Sequence, residues 1–366
     1  MVEGVCVAGA ASARLVEVGR RRRPRPRPPE ERHGRETMRK RLALSHLPTP
    51  IQRPQRLAEA LGVDLYVKRD DMTAGAEAGN KIRKLEYLLA AAREEGADCV
   101  ITCGGLQSNH ARATALLSAS LGLRSLLFLR TADPSAGAPL GGNVLLDRLA
   151  GAEIRLISPE AYRDRDAVMA EAAAEIRAAG GRPYVIPEGG SNGLGALGYV
   201  RAMEEIRKQL DLGLAGGKPF DVVVHACGSG GTAAGTALGA ARYEVAGEVR
   251  AMAVCEDRAT FARVAVAIMD DARSLDPRLG APAHLVIDDS ARGPAYGVST
   301  PEQRARIVKA ARLSGLVLDP VYTGKAFSGL WDMAERGELS GKRVLFLHTG
   351  GLPGLLAQGA DFADAL

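Results

Sequence analysis

From residue 39 onward the chain alternates short apolar runs with stretches whose apolar residues recur at helical spacing. Leu65-Tyr66-Val67-Lys68 predicts a short strand. Residues 81–95 place Ile82, Leu85, Leu88 and Leu89 on one face and predict an amphipathic helix. Cys99-Val100-Ile101-Thr102 reads as a buried strand, followed by Gly104-Gly105 and a helix to about Leu121. The alternation continues with a strand over 125–129, a helix over 143–149, a strand over 153–157, a helix over 162–179 and a strand over 183–186. A second series predicts a helix over 195–210, a strand over 221–225, a helix over 232–241, a strand over 249–254, a helix over 300–312 and a strand over 344–348. Strands alternating with helices imply βαβ units and parallel sheets. The expectation is an α/β fold with two parallel sheets, each covered by helices.

In such sheets ligands bind beyond the carboxyl ends of the strands. Four segments rich in Gly and small polar residues fall there: 104–110, 188–192, 228–235 and 348–351. A length of 366 residues, 46% of them hydrophobic and 25% charged, fits two domains or one large unit and excludes a mostly disordered, collagen-like or coiled-coil chain. No apolar run approaches the roughly 18 residues a membrane span needs.

The net charge of +5 is unevenly spread. The first forty residues hold 11 Lys and Arg against 5 Asp and Glu, so the remainder is nearly neutral and has no electrostatic footprint for nucleic acid. Arg interleaved with Pro24 and Pro26 cannot build a core. Residues 1–37 read either as a basic arm or, the reading the pattern favours, as a misassigned start upstream of Met38. Residues 5–13 lack the basic flank and apolar length of a secretory signal. The five cysteines suit reduced thiols in a cytoplasmic protein, without metal ligation.

Cys227-Gly228-Ser229-Gly230-Gly231-Thr232 follows a predicted strand and opens a helix. Successive N–H groups of such a loop converge on one anion, and the helix end adds a positive dipole, so a phosphate fits. A ligand-free turn and a dinucleotide fingerprint (Gly228, Gly230, Ala233, with Glu256 after the next strand) remain open. A Walker-type loop is excluded because no Gly-Lys-Ser/Thr follows. Lys81 begins a helix, where cations are disfavoured. Arg83 and Lys84 add positive charge that would lower an amine pKa, which suits a lysine that attacks a carbonyl, although all three could be solvated cations. Ser108 can clasp a carboxylate or cap a helix. His110 is expected to hydrogen-bond across a gap between domains. Tyr322 stands in a turn.

Together these segments resemble the pyridoxal-phosphate enzymes of fold type II, and within them the D-cysteine desulfhydrase and 1-aminocyclopropane-1-carboxylate deaminase family. The resemblance runs from about Leu47 to Gly359. It is carried by Leu47-Pro48-Thr49-Pro50, Lys68-Arg69-Asp70-Asp71, Gly79-Asn80-Lys81-x-Arg83-Lys84, Gln107-Ser108-Asn109-His110, Pro187-Glu188-Gly189-Gly190-Ser191-Asn192, Gly228-Ser229-Gly230-Gly231-Thr232, Asp319-Pro320-Val321-Tyr322-Thr323-Gly324-Lys325 and His348-Thr349-Gly350-Gly351. It implies two α/β domains with the active site in the cleft between them, the smaller over 86–199 and the larger over 38–85 with 200–366, and a homodimer. It implies that Lys81 carries pyridoxal 5'-phosphate, with Lys84 near the phosphate and Gly228, Ser229, Gly230, Gly231 and Thr232 holding it. Asn80 and Asn109 would lie at the ring, Thr349 at its nitrogen, Ser108 at the substrate carboxylate, and Tyr296 and Tyr322 in the active site. The implied activity is elimination on a small D-amino acid, D-cysteine above all. Deamination of the cyclopropane amino acid, a sulfo-lyase acting on L-cysteate, or a cofactor-carrying binding protein are the alternatives. Thr323 stands where the cyclopropane deaminases typically carry Glu, which favours elimination. Ala78 departs from the usual second Gly and raises the expectation of an altered approach to the cofactor.

Overall fold

The computed structural model describes residues 39–366, so the expectations for residues 1–37 lie outside the described residues. The strands are β1 (Ile51–Gln52), β2 (Asp64–Lys68), β3 (Cys99–Gly105), β4 (Arg124–Arg130), β5 (Glu153–Ile157), β6 (Pro183–Val185), β7 (Phe220–Cys227), β8 (Ala246–Ala253), β9 (His284–Asp288) and β10 (Arg343–Leu347). The helices are α1 (Gln55–Leu61), α2 (Asn80–Glu94), α3 (Asn109–Ser120), α4 (Gly142–Leu149), α5 (Pro159–Arg163), α6 (Arg165–Ala178), α7 (Gly193–Asp211), α8 (Gly231–Arg242), α9 (Arg258–Leu275), α10 (Pro301–Ser314), α11 (Thr323–Glu335) and α12 (Leu352–Ala357).

Two open sheets result. One has the order β5-β4-β3-β6 and is parallel throughout. The other has the order β1-β2-β10-β7-β8-β9 and is parallel except for the antiparallel edge strand β1. Every residue of β3 is buried, as a strand covered by helices on both faces requires, and this is why it reads as a continuous apolar run. The parallel α/β expectation therefore holds. Where a single helix was expected over 162–179 there are two. Ser158 caps α5 by accepting from the Ala161 N–H, and Asp164, at φ −100° and ψ 26°, breaks the ladder before α6. The pattern reading passed over α9, although Phe261, Ala265, Ile268, Met269 and Ala272 are buried at helical spacing. It also took the start of α11 for a turn.

Three helices meet where the chemistry will be. Helix α7 packs on both α2 and α8, and glycines set the distance. A Cβ on Gly198 would stand 2.3 Å from the Arg83 carbonyl oxygen, and one on Gly235 would stand 2.2 Å from that of Ala196. Backbones this close leave no room for any side chain there.

A buried ion cluster fastens α2 and α7 to the larger sheet. Arg83 of α2 donates to both carboxylate oxygens of Asp70, at 2.9 and 2.8 Å, and to both of Glu205 on α7, at 2.9 and 3.0 Å. Lys68, closing β2, donates to Glu205 at 2.6 Å and to Gln209 at 2.7 Å. The Tyr199 hydroxyl donates to Asp70 at 2.7 Å. Burial pushes the Asp70 and Glu205 carboxyls up, but the facing cations outweigh it and hold both below the ordinary range. Their contribution to stability is therefore complete above the unfolded carboxyl values and is lost as pH falls through the lower folded values.

Removing one member leaves buried charge unpaired, which costs about 3–5 kcal/mol. Arg83→Leu should lower the unfolding free energy, read from denaturant titration, by about that amount. A loss well under about 1 kcal/mol would show that the cluster is not a structural centre.

Candidate active site

Lys81 is the second residue of α2, and the segment before it is held from two sides. The Thr73 hydroxyl accepts the Gly79 N–H at 2.8 Å, and the Asn80 N–H donates to the Thr349 carbonyl at 3.1 Å. Gly79 has φ 129°, and a Cβ there would lie 2.9 Å from that Thr349 oxygen, so only glycine fits. The Lys81 amine forms no hydrogen bond or ion pair among the described residues. Burial lowers it from 10.5 to about 8, opposed by Glu188 and Cys227. The cause differs from the sequence expectation. Arg83 faces the other way and is neutralised by Asp70 and Glu205, so desolvation rather than neighbouring positive charge frees this amine.

The glycine loop lies opposite, between β7 and α8. Gly230 has φ 80°, and a Cβ there would meet Val264 at 2.8 Å. One on Gly228 would meet the Tyr322 ring at 3.0 Å. Asn80 Nδ2 donates to Thr232 Oγ1 at 3.1 Å, so the N-termini of α2 and α8 converge. The cavity between them holds about 400 Å³ of empty space. It is lined by Asn80, Lys81, Asn109, Tyr322, Thr349 and seven residues from 226 to 233. No carboxylate is among them.

Lys84, one turn after Lys81, is buried. Its amine donates to the Gly189 carbonyl at 3.1 Å and to Ser191 Oγ at 3.2 Å, both neutral oxygens. Ser191 Oγ also lies 2.8 Å from Ser229 Oγ and accepts the Gly231 N–H at 3.3 Å. Burial, then the charge of Lys81, pushes the Lys84 amine well below its ordinary value. A buried cation without a carboxylate, a helix N-terminus, glycines whose side chains would fill the cradle and an unpartnered lysine amine together fit pyridoxal phosphate: anion at the loop, carbonyl at Lys81.

The remaining expected residues are distributed around this cavity. Asn109 Oδ1 accepts from Asn143 Nδ2 at 3.2 Å and from Arg112 Nη1 at 3.4 Å. Ser108 does not line the cavity and caps α3, accepting the Ala111 N–H at 3.1 Å. Its hydroxyl proton stays available to a ligand. Tyr296 stands just outside, its hydroxyl 2.7 Å from that of Tyr322. Burial pushes Tyr296 up to about 12 and Tyr322 well above its usual value, so both phenols keep their protons. Thr349 is on the wall, but Thr323 is not. The Thr323 hydroxyl donates to Asp319 Oδ1 at 2.6 Å, inside the capping network of α11. Asp319 accepts the N–H groups of Val321, Tyr322 and Thr323 and so fixes Tyr322.

Two expectations are corrected. His110 makes its bond within the smaller sheet: Nε2 lies 2.9 Å from Thr102 Oγ1, which itself donates to the Ile186 carbonyl at 2.8 Å. Because Thr102 has one proton, Nε2 of His110 is the donor. Ala78 lines a separate cavity with Arg69, Asp71 and His348 and is not on the wall of the cofactor cavity. Two supporting cations escaped the sequence reading. Buried Arg112 donates to the Ala78 carbonyl at 2.6 Å and to Asn143 at 3.2 Å, tying the Lys81 segment to Asn109. Buried Lys325 donates to the carbonyls of Val254 and Ala295 at 3.2 and 2.8 Å, beside Tyr296. A charged residue at a core position of its helix is the signal that could have found either.

Two open parallel sheets, a lysine at a helix start and a glycine cradle facing it define a pyridoxal-phosphate enzyme of fold type II. The chain belongs to the family described as pyridoxal-phosphate dependent enzyme, whose pattern matches residues 42–350, and it is a lyase of that family. A bifunctional mitochondrial D-cysteine desulfhydrase/1-aminocyclopropane-1-carboxylate deaminase of Arabidopsis thaliana is 42% identical over 86% of this chain and 79% of its own. A D-cysteine desulfhydrase of Yersinia pestis is 41% identical over 87% of this chain and 95% of its own. A crystal structure titled as an ACC deaminase homologue superposes with a TM-score of 0.80 at 38% identity, covering 89% of this chain and 96% of the other. The cofactor of this family carries a single phosphate and is not a dinucleotide, and the glycine loop fits such an anion.

The uncharged Lys81 amine is the form that attacks a carbonyl, and its fraction rises as pH passes about 8 instead of 10.5. Uptake of pyridoxal phosphate by the cofactor-stripped protein, followed in the visible, should therefore accelerate with pH with an apparent pKa of about 8. Lys81→Ala should abolish the band. A midpoint near 10.5, or an unaltered band in Lys81→Ala, would refute the assignment.

Proposed function

We propose that this chain catalyses α,β-elimination on a small D-amino acid, with D-cysteine and water giving pyruvate, sulfide and ammonia. The observation that carries this reading is a cofactor cavity with no carboxylate on its wall. When bound, pyridoxal phosphate supplies an electron sink, strongest when a carboxylate keeps a proton on its ring nitrogen. Opening a cyclopropane ring breaks a bond that has no good leaving group and needs the stronger sink. Departure of a thiolate asks less, since a free thiol has a pKa of about 8.5. The hydroxyl of Thr349 on the wall suits the easier reaction.

Lys81 would hold the cofactor, and its Nζ would take the Cα proton of the substrate. The N–H groups of residues 228–232, the Thr232 hydroxyl and the Lys84 ammonium would hold the phosphate, and Asn80, Asn109 and Thr349 would hold the ring. Ser108 donates to the substrate carboxylate. Of the two protons on Tyr296 and Tyr322, one lies between the paired oxygens, and the other can reach the departing sulfur. The cleft is the one between a smaller domain over 86–199 and the larger remainder. The four cysteines of the described residues are free thiols, which supports the cytoplasm as the compartment.

Keto acid release from D-cysteine, the cyclopropane amino acid and L-cysteate tests the reading. D-cysteine should exceed the cyclopropane substrate in kcat/KM by at least about tenfold, a barrier difference of about 1.4 kcal/mol. Comparable rates, or a preference for the cyclopropane, would favour the deaminase activity that the Arabidopsis relative also carries in its name.

The active form is a homodimer. Leu145 and Leu149 of α4, Leu140 before it, and Leu352 and Leu356 of α12 are exposed, and α4 and α12 pack on each other. A second copy would cover this apolar ridge. Light scattering should report a dimer for the natural chain and a monomer for Leu356→Asp. A monomeric natural chain would overturn this.

A further inference from the structure

Arg130 closes strand β4 at the edge of the cleft. Its guanidinium carbon lies 4.7 Å from the ring centre of Tyr162 on α5 and 5.2 Å from that of Tyr296. Contacts of this kind use the guanidinium face and leave its N–H fork unspent. Arg130 forms no hydrogen bond or ion pair among the described residues. The carboxylate that shares Tyr162 with it, Glu188, is committed elsewhere. It accepts from the Tyr162 hydroxyl at 2.8 Å and pairs with Arg165 at 3.0 Å.

The space beside Arg130 is a further cavity, with about 740 Å³ of empty volume. Its walls include Gly105, Gln107, Thr131, Tyr296 and Gln358, and Arg130 supplies the sole charge among them. Tyr296 forms part of this wall and hydrogen-bonds Tyr322, which lines the cofactor cavity. The β3–α3 loop bearing Ser108 borders the same space through Gly105, Leu106 and Gln107. A substrate held by Ser108 would place its side chain in the region between Tyr296 and this guanidinium.

We propose that Arg130 is a specificity-determining residue that binds an oxyanion carried on the β-substituent of the substrate. The fork takes two oxygens at once, which suits a phosphate ester or a sulfonate. This rests on the reading of the site as an amino-acid elimination centre. For O-phospho-D-serine the step balances without further reactants. The Cα proton goes to Lys81, the Cβ–O bond breaks with its electron pair leaving on phosphate, and one water yields pyruvate and ammonia.

The test is a binding titration of the cofactor-loaded enzyme, read from the visible band, with O-phospho-D-serine and D-serine. The natural chain should half-saturate with the phosphorylated amino acid at a concentration at least about tenfold lower, as a charge-assisted pair gives. In Arg130→Leu that ratio should collapse to about threefold or less, with Arg130→Lys recovering part of it. Should Arg130→Leu not fold, Arg130→Gln reads the same ratio. A ratio near one in the natural chain, or one unchanged in the Leu or Gln variant, overturns the proposal. Lack of turnover on D-cysteine would instead sink the elimination reading, because this titration reads binding alone.

Discussion

Arg83, two residues after Lys81, is buried against Asp70, Glu205 and, through Asp70, Tyr199. Everything else at the site depends on this cluster. It fixes the first turn of α2 to the end of β2 and to the middle of α7, and so sets where the Lys81 amine points. The pairing is costly to assemble, because each charge loses its water. Its return is geometric: a bidentate fork on each of two carboxylates admits one arrangement of three elements.

The same helix turn works in two directions. On its structural side Arg83 is fully paired. On its chemical side Lys81 and Lys84 are buried or partly buried and face neutral oxygens or nothing. The contrast explains their depressed pKa values. Burial costs an ammonium its hydration, and no carboxylate is paired with either amine to restore it. The charge that would balance Lys84 is an anion at the glycine loop, whose N–H groups and helix end face the same space. The uncompensated Lys84 cation and the loop N–H groups describe the same ligand from opposite sides.

Two tyrosines from different parts of the chain meet beside the cofactor cavity. Tyr296, after β9, lies against Gly105 at the end of β3, where a Cβ would stand 2.9 Å from its ring. Tyr322 is aimed by the Asp319 cap of α11. Lys325 then ties α11 to the loop of Tyr296 through the Ala295 carbonyl. The hydroxyl pair is thus built by three devices, two of them legible only once α11 is recognised as a helix.

Much of this was written in the chain order. The alternation of apolar runs and helical spacing determined an α/β fold with parallel strands, because buried parallel strands need long apolar runs and covering helices. The glycine loop after a strand, and Asn80-Lys81 at a helix start, marked both halves of the cofactor site, since backbone approach and anion binding demand those residues locally. Other features were decided by packing alone. Sequence placed Arg83 and Lys84 together as cations crowding Lys81, whereas their side chains diverge, one into an ion cluster and one toward the phosphate loop. Thr323, adjacent to Tyr322, turns to Asp319 and away from the cavity. Arg112 and Lys325 act through carbonyls 34 and 30 or more residues distant. A sequence states which charges exist, but desolvation and the partner each charge meets are set by what folds over it, and those two quantities decide its chemistry.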